Sequence, residues 1–165
     1  MRRSSKVAFA VLLALPTLAA AAYDANEIVL GATEKAVTAK FPSAHCKALE
    51  WESLAADRRC DDAKILFGGV PARITFYLKK DRVQAFDVRY ESKDTERLVQ
   101  FLKPRYGAPT TEIRQKAESR RGGDLVKLEW KKGDEQALLV SQSEERRASL
   151  TVWRGNFEEE IYRVR

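Results

Sequence analysis

The sequence predicts an α+β domain: an antiparallel sheet with short helices on one face. Three observations carry this. Ile74, Phe76 and Leu78 alternate with polar residues, and Phe86, Val88 and Tyr90 do the same across a tight polar turn. Leu98, Val99, Phe101, Leu102 and Tyr106 form an apolar stripe at helical spacing, closed by Gly107 and Pro109. Strand-like stretches at 110–117, 125–131, 135–141 and 147–154 are joined by connections of hairpin length, which makes their pairing antiparallel.

The chain opens on Arg2, Arg3 and Lys6, an apolar run from Val7 to Leu18 broken at Pro16 and Thr17, and a small-residue stretch from Ala19 to Ala22. Basic end, short apolar centre and small-residue exit predict a cleavable export signal over 1–22. A retained anchor is the alternative, but the run falls short of the roughly 20 residues a bilayer span needs. No cysteine stands at the exit, so lipid attachment there is not expected.

Residues 23–165 then form one domain, exported and expected to be soluble in the periplasm. The whole chain carries a net charge of +6, and removal of the signal leaves 27 basic against 24 acidic residues. The two signs are interleaved, unlike the clustered basic face of a nucleic-acid binder. No nucleic-acid partner is expected.

Thr33 caps a first short helix that presents Ala36, Val37 and Phe41 and stops at Pro42. The stretch from Lys47 to Arg59 follows neither period and reads as irregular or partly extended. Ile65-Leu66-Phe67 reads as a third strand cut by Gly68-Gly69. Ser92 or Asp94 caps the main helix. The tail from Phe157 forms a short helix or lies extended.

The only cysteines, Cys46 and Cys60, are expected to form a disulfide. Closing a loop of that length stabilises a chain by roughly 3 kcal/mol. A metal site built from His45, Cys46, Cys60 and Asp61 is the alternative, but it matches no usual zinc spacing. No metal and no cofactor is expected. No catalytic residues are assigned: His45 has no nucleophile motif beside it, and Asp61-Asp62 and Glu158-Glu159-Glu160 read as solvated carboxylates.

The order helix, strands, helix, strands admits a division into two tandem helix-plus-sheet units, 28–92 and 93–156. Gly31-Ala32-Thr33, Phe41-Pro42, the paired cysteines and the Tyr106-Gly107-x-Pro109 exit resemble small uncharacterised exported proteobacterial proteins. Their architecture is similar to the β-lactamase-inhibitor-protein-like fold, which also occurs in small outer-membrane assembly factors. The resemblance implies a helical layer on one sheet face, a second face free to meet a partner, and no catalytic residues.

Two features bear on partners. Tyr77 and Trp153 fall on the alternation opposite the buried residues, beside Arg73, Arg89 and Lys127, a set with the chemistry of a protein-binding surface. The competing reading covers them with Phe157, Ile161 and Tyr162 of the tail. Basic pairs also mark the turns: Lys79-Lys80, Arg120-Arg121, Lys131-Lys132 and Arg146-Arg147. They suggest a surface for anionic lipid or cell-wall polymer. The sequence thus points to a non-enzymatic protein that binds another envelope protein through its sheet face, with the anionic surface as runner-up and an unrecognised hydrolase third. Oligomeric state is not legible.

Overall fold

The computed structural model describes residues 22–117 and 123–163. Tyr23 leads into a minute hairpin, β1 (Asp24–Ala25) and β2 (Ile28–Val29), turned by Asn26 and Glu27 at positive φ. Tyr23, Ala25, Ile28 and Leu30 are buried. The Tyr106 hydroxyl donates to the Asp24 carbonyl at 2.8 Å, and Arg105 Nη2 binds the Asp24 carboxylate at 2.7 Å. Four residues carry too little periodicity to announce this hairpin in the sequence.

Helix α1 (Glu34–Lys40) starts where expected: Thr33 Oγ1 accepts from the Ala36 amide. Asp81 Oδ1 accepts a second free amide, that of Glu34, at 3.0 Å. The turn at Lys80-Asp81 therefore helps to cap a helix 47 residues away in sequence.

A meander follows: β3 (His45–Ala48), β4 (Arg58–Phe67), β5 (Val70–Lys79) and β6 (Arg82–Glu91). Strand β4 is longer than the Ile65–Phe67 segment expected. Its first half, Arg58 to Lys64, is polar and has a register shift between Asp62 and Ile65, so the side-chain alternation is broken. A short 3₁₀ turn (Ser92–Asp94) precedes α2 (Thr95–Tyr106). Neither expected residue caps α2 through its side chain. The Ser92 hydroxyl donates to the Glu145 carbonyl at 2.5 Å, tying the helix entrance to a distant turn. Gly107, at φ 83°, ends the helix as expected, and Trp130 Nε1 donates to its carbonyl at 3.0 Å.

A second meander comprises β7 (Thr111–Gln115), β8 (Leu125–Lys132), β9 (Glu135–Gln142) and β10 (Arg147–Arg154). Helix α3 (Phe157–Glu160) closes the described chain. The eight long strands form one antiparallel sheet in the order β3-β4-β5-β6-β10-β9-β8-β7. Each meander thus lies in chain order, and the two join through their last strands, β6 against β10. A helix precedes each meander.

Strand alternation divides the interior. Ile74, Phe76, Val88, Leu128, Trp130, Leu139, Leu150 and Val152 share one hydrophobic cluster with Val37 and Phe41 of α1 and Leu98, Leu102 and Tyr106 of α2. A second cluster holds the opposite alternation, Ala85 and Trp153, with Ala55 and Ala56 of the 49–57 loop and Phe157 and Ile161 of the C-terminal segment.

The disulfide joins Cys46 to Cys60, directly opposite each other on β3 and β4. Cys46, Cys60 and Glu34 bring ligand-type atoms within 4.8 Å of one another. The sulfurs are bonded to each other, and the Glu34 carboxylate accepts from Arg58 Nε at 2.6 Å and Nη2 at 3.0 Å. His45 is exposed at the edge, opposite Asp61.

Candidate functional site

The sheet face away from α1 and α2 is laid out in rows across the strands. Tyr77, Ala85 and Trp153 stand side by side on β5, β6 and β10. The next row is Thr75, Asp87 and Thr151. The third is Arg73, Arg89 and Ser149, continuing into Val140 on β9 and Lys127 on β8. Period-two geometry alone puts all of these side chains on one face.

The first row is covered. Trp153 is only 7% exposed, and the Tyr77 ring meets Phe157 at 5.4 Å. Burial raises the Tyr77 phenol above its ordinary pKa. Of the two readings of Tyr77 and Trp153, the structure has the tail lying over them. The tail does not act alone. Trp51 Nε1 donates to the Ile161 carbonyl at 2.9 Å, Ser53 Oγ to the Glu160 carbonyl at 3.2 Å, and the Leu54 amide to the Arg163 carbonyl at 3.1 Å. The stretch that follows neither period thus meets the C-terminal segment over the sheet. Its apolar residues, Leu49, Trp51 and Leu54, were visible in the sequence, but a loop packed by its own irregular path has no period to find.

The other rows are more open: Arg73 and Arg89 are exposed, Thr75, Thr151 and Ser149 are half-buried, and Asp87 is buried among them. Asp87 links the second and third rows: Oδ2 accepts from Arg89 Nε at 2.7 Å and Oδ1 from the Thr151 hydroxyl at 3.1 Å. The Asp87 charge holds the Arg89 guanidinium above its ordinary pKa. Thr75 Oγ1 likewise donates to Asp61 at 2.7 Å. Lys127 pairs with Glu129 on its own strand at 2.7 Å. The five residues expected to meet a partner are therefore split. Arg73 and Arg89 stand together on open surface, Lys127 lies farther along the same row, and Tyr77 and Trp153 belong to the covered end.

Sequence reasoning missed how the arginines assemble. Arg147 lies two residues from Ser149 on β10, beside Glu91 of β6, and so joins Arg73 and Arg89. In the sequence the basic turn pairs form a separate feature. Lys79 and Lys131 lie toward the opposite end of the sheet, and Arg120-Arg121 fall outside the described residues. Three adjoining clefts meet at Arg89. One runs to Tyr77 and Tyr162, one to Arg73 and Arg146, and one to Val140 and Gln142. Tyr162, at the rim, is 77% exposed.

No family model, curated protein or solved structure matches the chain. Among the described residues no helix is long and apolar enough to cross a membrane. The open rows offer guanidinium groups, hydroxyls and a few aliphatic side chains on a broad surface. That composition suits recognition of an extended partner.

Proposed function

We propose that the chain is an exported, non-enzymatic protein that binds another envelope protein through the open part of its sheet face. The observation that carries this is the meeting of three clefts at Arg89, with Arg73, Arg147, Val140 and the exposed Tyr162 around it. Arg and Tyr dominate the energetics of protein interfaces, and a rigid sheet presents them without loss of backbone freedom.

Export rests on the signal-like residues 1–22 and is consistent with the disulfide. The helix-then-meander order, occurring twice, supports reading 28–92 and 93–156 as tandem units with α1 and α2 on one face.

Replacing Ser149 with Trp tests the reading by placing bulk in the middle of the open rows. Capture of a stoichiometric partner from periplasmic extract should fall at least about tenfold, while Lys103→Trp on exposed α2 surface leaves it intact. Equal capture by both variants would overturn the assignment. A second reading, contact with anionic lipid or cell-wall polymer, is favoured by the arginines alone. It predicts salt-sensitive binding to phosphatidylglycerol vesicles without a protein partner.

A further inference from the structure

We infer that Arg73, Arg89 and Arg147 form a receptor for an extended acidic segment of the partner, with carboxylates at alternate residues. This rests on the sheet-face reading and specifies its chemistry.

Arg73 and Arg89 are directly opposed on β5 and β6. Like charges in that position repel. Arg89 is satisfied by Asp87, and Arg146 lies 3.8 Å from Glu91. Arg73 and Arg147 are exposed and make no ion pair or side-chain hydrogen bond among the described residues. A patch of cations with two of three unmatched is held together by the fold rather than by its own electrostatics. A bound anion removes the repulsion.

Spacing selects the form of the anion. Arg89 is opposite Ser149, so Arg147 is its diagonal neighbour, roughly 7–8 Å away. Alternate residues of an extended peptide lie about 6.6–6.8 Å apart on one side. Two such carboxylates can therefore reach Arg89 and Arg147 together: Arg147 offers an unused planar fork, and Arg89, whose Nε is taken by Asp87, receives through its terminal nitrogens. The same guanidiniums line clefts together with Val140 and Ser149 rather than standing alone on a turn. Aliphatic and hydroxyl neighbours suit peptide side chains better than the headgroups of a bilayer.

The test is titration of the disulfide-bonded protein with an octapeptide of alternating Glu and Ser, at low ionic strength. Wild type should bind it, and the matching Gln-Ser peptide should not bind. Arg73→Gln with Arg147→Gln should weaken binding about tenfold or more. Lys35→Gln with Lys131→Gln, which removes the same charge elsewhere, should change it less than threefold. Both arginine positions are exposed and unpartnered, so the thermal midpoint of the double variant should hold or rise, showing that it folds. Equal weakening by both double variants, no binding of the acidic peptide, or binding only to phosphatidylglycerol vesicles would each overturn the inference. Partner capture separates this from the broader reading. If Ser149→Trp abolishes capture and the double arginine variant does not, the acidic receptor fails and the sheet-face site stands. If the arginine variant loses the peptide but Ser149→Trp keeps the partner, the sheet-face site fails.

Discussion

One face of this sheet has two different ends. At the first, Tyr77, Ala85 and Trp153 are sealed beneath the C-terminal segment and the 49–57 loop. At the second, Arg73, Arg89 and Arg147 stand open around a half-buried Ser149. The strands are the same and the alternation is the same. What differs is side-chain chemistry. Aromatic rings left in water would recruit a cover, and the chain supplies one from its own terminus. Guanidinium groups on the same face are well solvated and demand none. A sheet face can therefore be core at one end and recognition surface at the other.

The largest expected effect lies at the covered end. Trp153→Ala removes a buried ring from the second cluster and should lower unfolding free energy by about 3–5 kcal/mol in denaturant melts. A loss below about 1 kcal/mol would mean that the tail does not seal this end.

Next is the bridge. Strand β3 is at the sheet edge and pairs with β4 alone. Reduction of Cys46–Cys60 should remove roughly 3 kcal/mol. Amide exchange should quicken in residues 45–57 far more than in 125–142, because the first stretch depends on the bridge for its place. Uniform quickening would erase that contrast.

A smaller effect comes from pH. Burial pushes the Tyr90 phenol up to about 12, and burial also raises Tyr77. A phenol with a folded pKa above its unfolded value of about 10 stabilises fully below pH 10. That stability is lost as pH climbs through the folded value. Tyr90 accounts for about 3 kcal/mol of it. Tyr90→Phe should flatten the alkaline limb of a stability–pH curve between about 10 and 12. Tyr77→Phe should flatten it less.

The smallest effect is at the open end. Arg73→Gln relieves the repulsion with Arg89 and should stabilise by about 0.2–1 kcal/mol. Destabilisation of 1 kcal/mol or more would show Arg73 to be held by packing.

Much of the fold was legible. Strong alternation in 74–78, 86–90, 125–131 and 147–154 located strands, because each has one buried face. The stripe closed by Gly107 located α2. The first half of β4 was not legible, because Asp61, Asp62 and Lys64 interrupt the pattern at a bulge. The β1–β2 hairpin was too short to leave a period.

The site was half legible. The sequence by itself determined which residues share a face, since side-chain direction along a strand follows from backbone geometry alone. It also determined that an aromatic and cationic set lies on that face. Only the tertiary structure decided that the aromatics are covered and the arginines are not. Only it brought Arg147 beside Arg89. Which strands are neighbours, and which loop settles on which row, depend on contacts between residues far apart in the chain. Those contacts are chosen by the free energy of the whole packed arrangement, and no local pattern records them.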